Sequence, residues 1–419
     1  MEKKNKMKIK KILVILDGAS DLPHPTLGGK TPLEAANMPN LDFFTRDGKM
    51  GYMYPIDEET IPGSDNSLIS IFGNDPNACR RGTYESIGAG IKLCKGDLAL
   101  RVNFGTIDNL KNKRVIDRRA GRTLTTKEAN ILSRDLNEKI KIPYKFEFKN
   151  TVQHRGVLVI RGNFSDNISN IDPEWSSTDK KFEFKFCEPL DDKSKGSSKV
   201  LNEFVSQAFT ILNNHPINLE RVKKGFLPAN MIFLRGGGVE VPKLKQYKSW
   251  MSINSMPLEI GISKVSGMKI FSFPYPELKS IDSYKNLYEG LNNSIDFSKK
   301  VLKSESKNFI GCYIQFKETD IPGHDNKPLE KKRMLEIIDK DFFSYLRKFC
   351  KGKGIKLVVT CDHSTPCKLK AHSSDPVPVL VYDSYGFDSS EHFCEIEAKR
   401  VSLGKMYGKE FMEKTGLNK

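Results

Sequence analysis

The sequence predicts an α/β fold: a sheet core with helices on both faces, interrupted by a smaller inserted α/β domain. Three observations carry this. Short apolar runs of strand length recur at 12–16 (ILVIL), 309–316 (FIGCYIQF), 356–361 (KLVVTC) and 377–383 (VPVLVYD), with amphipathic stretches between them. Three of these runs lead into an acid, Asp17, Asp320 or Asp362. The texture changes near residue 96 and returns near 249. This divides the chain into a core built from 1–96 and 249–419 and an insert spanning 97–248.

Composition bounds the function classes. With 419 residues, 38% of them hydrophobic and 10% aromatic, the chain can bury a large core and is not a disordered tract. No run of about 18 apolar residues occurs, so no membrane span is expected. The basic opening, MEKKNKMKIKK, is followed by too short an apolar run for a signal peptide and reads as a lead-in to a first strand. Eight cysteines without a CxxC pair point to reduced thiols and a cytoplasmic protein. The net charge of +16 raises the question of nucleic acid. The lysines are scattered and not interleaved with aromatics, which favours a lysine-rich surface around an anionic substrate pocket, with no nucleic-acid or membrane partner.

Taken in order, the first strand ends at Asp17-Gly18. A Pro/Gly-rich loop then leads to a helix start near Thr31-Pro32, with Glu34 in its first turn. At 59–76, Pro62-Gly63 makes a turn, Ser64 and Asp65 are cap residues, and Leu68, Ile69, Ile71 and Phe72 form the apolar face of a short helix. Read alone, Ser64 is an N-cap serine. The sharper reading is a nucleophile at a helix N-terminus, where free amides and the helix dipole favour developing negative charge.

In the insert, 163–198 reads as polar loop and 199–213 as an amphipathic helix with Val200, Leu201, Phe204, Val205, Ala208, Phe209 and Leu212 on its apolar face. Arginines cluster at Arg118, Arg119 and Arg122, at His154-Arg155, and at Arg235 in RGGG, which reads as a turn. Such clusters are either basic surface or an anion pocket, since arginine binds carboxylate and phosphate bidentately. Past 249, residues 330–349 read as one long amphipathic helix with Met334, Ile337, Ile338, Phe342 and Leu346 inward.

The three strand-end acids have histidines near them: His324 four residues after Asp320, His363 next to Asp362, and His372 nine residues further on. An open α/β sheet lines up the carboxyl ends of its strands along one edge, so distant residues meet there. Mixed oxygen and nitrogen donors suit a pair of Mn²⁺ or Zn²⁺ ions, whereas Mg²⁺ alone prefers oxygen. Such a pair polarises a phosphoryl group and activates a coordinated hydroxyl, for which Ser64 is the candidate.

These residues resemble the alkaline-phosphatase superfamily and, more closely, its archaeal-type 2,3-bisphosphoglycerate-independent phosphoglycerate mutases. The resemblance runs through ILDGASD (15–21), TPLEAANMPNLD (31–42), PGSD (62–65), ESIGAGI (85–91), DRRAGR (117–122), NNHPINLERVKKGFLPAN (213–230), KETDIPGHD (317–325), CDHSTP and HSSDPVP. It implies an alkaline-phosphatase-like core with an inserted substrate domain, in a cytoplasmic isomerase of glycolysis and gluconeogenesis. This enzyme would interconvert 3-phosphoglycerate and 2-phosphoglycerate through a phosphoserine at Ser64, without bisphosphoglycerate.

By match, Asp320, His324 and His372 hold one divalent ion. Asp17, Ser64, Asp362 and His363 hold the other. Mn²⁺ is expected, with Zn²⁺, Mg²⁺ or Co²⁺ as alternatives. Arg118, Arg119, Arg122, His154, Arg155 and Arg235 are the pocket residues expected for phosphate and carboxylate.

Two departures stand out. Where the family carries a lysine on re-entry into the core, this chain has Ile260, with Lys264 in the place of an arginine. The stretch after Ser64, Asn66-Ser67-Leu68, also differs from the family. The Ile260 departure motivates an alternative: a related phosphotransferase or phosphohydrolase acting on another small phosphorylated metabolite.

Overall fold

The computed structural model describes residues 8–173, 182–279, 282–383, 386–400 and 402–418. Its strands are β1 (Lys11–Leu16), β2 (Lys49–Tyr54), β3 (Leu98–Ile107), β4 (Val115–Asp117), β5 (Phe146–Asn150), β6 (Arg155–Ile160) and β7 (Met231–Gly238), followed by β8 (Trp250–Ile253), β9 (Lys269–Phe271), β10 (Gly311–Phe316), β11 (Lys356–Thr360), β12 (Val377–Tyr382) and β13 (Gly404–Tyr407). They form an eight-stranded sheet in the order β13-β2-β12-β11-β1-β10-β8-β9 and a five-stranded sheet in which β3 pairs with β4, β6 and β7, and β5 with β6.

The centre of the large sheet is parallel. Ile12 of β1 lies opposite Cys312 of β10 on one side and Leu357 of β11 on the other. Every residue from Ile12 to Leu16 is buried, as are all of β10 and Leu357–Thr360 of β11. Burial on both faces is what continuous apolar runs require. Because β1, β10 and β11 run side by side in one direction, the segments that follow Leu16, Phe316 and Thr360 emerge at a single edge. β12 and β2 are joined antiparallel to each other and β12 antiparallel to β11, so the sheet is mixed.

A buried ion pair fixes that edge. Lys331, fully buried on the helix Pro328–Ile338, donates to Asp21 (2.9 Å) in the loop after β1 and to the Thr365 carbonyl (2.9 Å) after β11. Both oxygens of Asp21 also accept the Cys367 amide. A buried charge is tolerated when it is paired and fully hydrogen-bonded in this way.

The five-stranded sheet is antiparallel throughout. One face contributes Leu98, Leu100, Val102, Phe104, Leu158 and Ile160 to an apolar cluster completed by the helices Thr126–Lys139 and Lys195–Asn213. The other face lies toward the helix Arg81–Gly88, which in turn crosses the helix Pro257–Val265 of the large-sheet region. That crossing is as close as backbones permit: a Cβ on Gly88 would fall 1.8 Å from the Pro257 carbonyl oxygen, and one on Gly261 1.9 Å from that of Tyr84.

Three local expectations change. The stretch 330–349 is not one regular helix: a wider π turn, Asp339–Phe343, separates Pro328–Ile338 from Ser344–Cys350, and the Asp339 carboxylate accepts the amides of Asn40 and Leu41. The insert helix starts four residues earlier than the apolar pattern suggests, at Lys195, and leaves Phe209 only partly buried. The RGGG segment is not a turn but the end of β7. Its glycines let the helix Arg81–Gly88 lie directly on the strand, where a Cβ on Gly238 would meet Arg80 at 2.8 Å. Of the loop read at 163–198, residues 174–181 lie outside the described residues. Among the described residues no helix is long and apolar enough to cross a membrane.

Candidate active site

The turn after β1 begins at Asp17, the turn after β11 at Asp362 and His363, and the segment after β10 reaches Asp320 three residues beyond Lys317. Gly18 closes the first turn at φ +54°. A side chain there would meet Thr365 Oγ1 at 2.5 Å and Asp320 Oδ1 at 2.6 Å, so only glycine lets these turns approach.

Two groups of donors result. Asp17, Asp362 and His363, all buried, offer one ligand atom each within 4.8 Å of one another, and Asp320, His324 and His372 form a second such group. The groups are adjacent, since the His363 and His372 rings stack with centroids 3.7 Å apart.

The tautomers are set by the neighbours. His324 Nδ1 lies 3.1 Å from the Lys370 carbonyl oxygen and His372 Nδ1 2.7 Å from that of Pro62. Each Nδ1–H therefore donates to a backbone carbonyl, which turns each Nε2 toward Asp320, at 3.4 Å and 3.7 Å. His363 Nδ1 lies 3.1 Å from Thr365 Oγ1, which donates to Asp320 Oδ1 at 2.8 Å.

Ser64 sits where this edge meets the helix Ser64–Ile71. Gly63 is the N-cap and Ser64 the first helical residue, which corrects the reading of Ser64 as the cap. The capping contact runs instead from the Gly63 amide to Asn66 Oδ1 (2.7 Å), so the serine hydroxyl is not used in capping. Its Oγ lies 3.1 Å from His363 Nε2.

The first donor group is electrostatically short of cations. Burial and then the neighbouring Asp362 push the Asp17 carboxyl well above its usual range, and Asp17 Oδ1 has no hydrogen-bond partner. Burial raises Asp362 as well. Burial alone would raise Asp320, but His324 and then His372 hold it well below the usual range. Burial pushes both His363 and His372 down to about 3, which keeps them neutral and able to ligate. Carboxylate and imidazole donors this close, with an orphaned carboxylate oxygen, fit two divalent cations.

Lys317, not singled out from the sequence, supplies one positive charge: its ammonium contacts Asp17 and lies 3.1 Å from the buried Glu259. Gln315 donates to Asp17 and to Asp362 Oδ2 (3.3 Å). Ile260 neighbours Glu259 in the helix Pro257–Val265, and Lys264 is exposed.

The arginines of 97–248 have varied partners. Arg118 Nε donates to the fully buried Asp172 at 2.7 Å, and Arg235 Nε lies 3.2 Å from the same carboxylate. Arg122 pairs bidentately with Asp325, at 2.8 and 3.0 Å, directly after His324 in the chain, and Tyr284 Oη donates to the same carboxylate at 3.0 Å. Burial and then Arg122 and Arg155 push Arg119 down to about 10. His154 is buried with Nδ1 unpartnered. Its burial, with Arg155 and Arg119 next, holds it well below its ordinary value.

Two further arginines join them. Arg101 lies in β3, and Arg81, at the start of its helix, donates to Glu85 (2.6 Å) and reaches to 3.8 Å from Asp65, next to Ser64. An arginine inside LALRVNF, a run whose one other polar residue is Asn103, is the signal by which Arg101 can be found in the sequence.

Comparison with known proteins gives a consistent picture. A family model described as 2,3-bisphosphoglycerate-independent phosphoglycerate mutase matches residues 45–218. Enzymes of that name from Thermococcus kodakarensis and Pyrococcus abyssi are 35% and 36% identical to this chain, over 96% of it and 95% of each relative. Among solved structures, the PH0037 protein from Pyrococcus horikoshii superposes with a TM-score of 0.76 at 28% identity, over 98% of both chains. A cofactor-independent phosphoglycerate mutase from Thermoplasma acidophilum superposes with 0.59 at 27% identity, over 98% of this chain and 100% of that one.

Proposed function

The chain belongs to the 2,3-bisphosphoglycerate-independent phosphoglycerate mutases, and from that premise we propose how its residues divide the reaction. It is an isomerase that interconverts 3-phosphoglycerate and 2-phosphoglycerate. We assign Ser64 as the nucleophile. Its Oγ attacks phosphorus, the bond to the glycerate oxygen breaks, and the phosphoryl group rests on the serine. The other hydroxyl of the same glycerate then takes the phosphoryl group back. The observation that carries this is the placement of Ser64 Oγ: in the first turn of a helix, free of capping duty, and 3.1 Å from His363 in the donor cluster.

Asp17, Ser64, Asp362 and His363 would hold one divalent ion and Asp320, His324 and His372 the other, with Mn²⁺ the expected metal. When bound, such ions neutralise phosphoryl oxygens and favour the serine alkoxide. The chain's own groups do the rest. Gln315 and Lys317 orient Asp17, and the carbonyls of Pro62 and Lys370 orient the two histidines. Arg119, His154, Arg155 and Arg235 face the substrate's anionic groups, with Arg118 beside them.

We take the five-stranded sheet, within 97–248, as a substrate-binding domain inserted in a core formed by 1–96 and 249–419. The bidentate Arg122–Asp325 pair and the Gln153–Asn286 hydrogen bond (2.8 Å) support an arrangement in which insert and core face each other across the substrate. A cytoplasmic location agrees with eight unbridged cysteines.

An enolase-coupled assay with 3-phosphoglycerate and Mn²⁺, without bisphosphoglycerate, tests the reading. Steady turnover is expected, and none would refute it. A second reading, phosphohydrolase, is motivated by Ile260 at the family's lysine position. Release of inorganic phosphate in place of 2-phosphoglycerate would favour it.

A further inference from the structure

Thr365 stands where the three ligand-bearing turns touch. It is fully buried and belongs to neither donor group. Its backbone is held from two sides: its amide donates to the Ser20 carbonyl at 3.0 Å, and its carbonyl accepts from the Lys331 ammonium at 2.9 Å. Glycines let the other two turns close on it. A Cβ on Gly18, the residue after Asp17, would fall 2.5 Å from Thr365 Oγ1. One on Gly323, the residue before His324, would fall 2.4 Å from the Thr365 carbonyl oxygen and 2.8 Å from its methyl carbon. A β-branched side chain packed in this way has little freedom at χ1.

The hydroxyl makes two hydrogen bonds of opposite sense. A carboxylate only accepts, so Thr365 Oγ1 gives its one proton to Asp320 Oδ1, at 2.8 Å. Its contact with His363 Nδ1, at 3.1 Å, is then made by the ring's N–H. That leaves the lone pair on His363 Nε2, which lies 3.1 Å from Ser64 Oγ, 3.8 Å from Asp17 Oδ1 and 3.5 Å from Asp362 Oδ2. A continuous chain therefore runs from His363 in one donor group, through Thr365, to Asp320 in the other. The second oxygen of Asp320 lies 3.4 Å from His324 Nε2.

We propose that Thr365 couples the two donor groups, so that divalent cations enter them as a pair and not one at a time. Thr365 touches neither ion and acts as a positioning residue. An ion held by Asp320, His324 and His372 fixes the plane of the Asp320 carboxylate. The fixed Oδ1 fixes the Thr365 hydroxyl, and the hydroxyl fixes the tautomer and tilt of His363. The ordering of His363 is then already complete when the second ion arrives, and by linkage the effect is the same in the other order. This rests on the two-ion reading of the site and extends it from which residues ligate to how the ions depend on each other.

The test adds Mn²⁺ in steps to protein stripped of metal and follows it by electron paramagnetic resonance. The spectra separate free Mn²⁺, a singly bound ion and a spin-coupled pair. Wild type, Thr365→Val and Thr365→Ser are compared, with Thr365→Ala in place of the valine variant if that one does not fold. With one equivalent added, wild type should hold most of its bound Mn²⁺ as the pair. Thr365→Val keeps the shape and loses both hydrogen bonds. It should hold mostly single ions at that point, and its half-saturating Mn²⁺ should rise about tenfold or more. Thr365→Ser keeps the hydroxyl and should restore filling in pairs.

A valine variant that fills in pairs as wild type does would overturn the proposal, even with a lowered melting temperature, and would leave Thr365 as packing between the turns. Wild type that fills one ion at a time would overturn it as well. Wild type that binds fewer than two ions at saturation would strike the two-ion reading itself, a result distinguishable from failure at Thr365 alone.

Discussion

The edge that carries Asp17, Asp362 and His363 and the sheet face that carries Arg101, Arg155 and Arg235 are built on opposite imbalances. At the edge, buried carboxylates crowd one another and Asp17 keeps an orphaned oxygen. On the face, buried guanidiniums crowd one another and Arg101 keeps an orphaned nitrogen. Each region is costly by itself, and under the proposed function each would be relieved by a ligand of the opposite sign, divalent cations in one case and an anionic substrate in the other. Between them stand Ser64 and Arg81. The comparison teaches that stability and the proposed function pull apart in both places: the side chains that crowd one another in the ligand-free protein are the ones proposed to meet the ligand.

Four measurements sharpen or break this comparison. The largest effect falls on the nucleophile between the two regions. Ser64→Ala should cost on the order of 10⁴-fold or more in kcat, with metal-induced thermal stabilisation mostly retained. An alanine variant with full activity would remove Ser64 from the chemistry.

Next is the carboxylate edge. Metal at a hundred times its dissociation constant should stabilise wild type by about 3 kcal/mol per site. Asp362→Asn should lose most of the stabilisation at its site. Without metal it should be no less stable than wild type to within about 1 kcal/mol, since one of two crowded buried carboxyls is gone. Chelator titrations followed by calorimetry decide this. A strongly destabilised ligand-free variant would mean that Asp362 is structural.

The third measurement addresses the bridge between the regions. Arg122 and Asp325 are each less than a third exposed and bonded bidentately. A double-mutant cycle with Arg122→Gln and Asp325→Asn should show a coupling of about 1 kcal/mol in the free energy derived from kcat/KM. Additive effects would show that the contact does not join the two regions.

The smallest effect concerns His154, which burial and Arg155 hold well below its ordinary value. A neutral buried histidine is charged in the unfolded chain below pH 6.5, so the unfolded state binds the extra proton. Native stability then falls as pH drops below about 6.5, by up to about 1.4 kcal/mol per pH unit. His154→Gln should flatten that acid limb in denaturant titrations. An unchanged limb would mean that His154 is protonated in the folded protein.

The two regions also differ in how far the sequence discloses them. The parallel strands at 12–16, 311–316 and 356–360 are dominated by apolar residues and an acid follows each within four positions, so both the sheet edge and its donors are legible from spacing. The arginine face depends on antiparallel register, which no local pattern encodes. Arg118, Arg119 and Arg155 stand out because they cluster in the chain. Arg101 meets Arg235 only across 134 positions of sequence, in the pairing of β3 with β7.

Lys331 is hidden for a similar reason: within EKKR it looks like one more surface lysine, yet it is fully buried against Asp21. Lys317 and Glu259 likewise meet only because the helix Pro257–Val265 packs beside β10's end. The π turn at Asp339–Phe343 leaves the apolar spacing of 330–349 nearly intact, so periodicity alone reads through it.

The most direct test of the whole account is to find where the phosphoryl group rests. The metal-loaded protein should be mixed with 3-phosphoglycerate, quenched in acid within a few turnovers, digested, and its phosphopeptides mapped by mass spectrometry. The account predicts a phosphate on Ser64, absent when metal is withheld and absent in Ser64→Ala. Turnover of 3-phosphoglycerate to 2-phosphoglycerate with Ser64 unmodified, or with phosphate on another side chain, would contradict it.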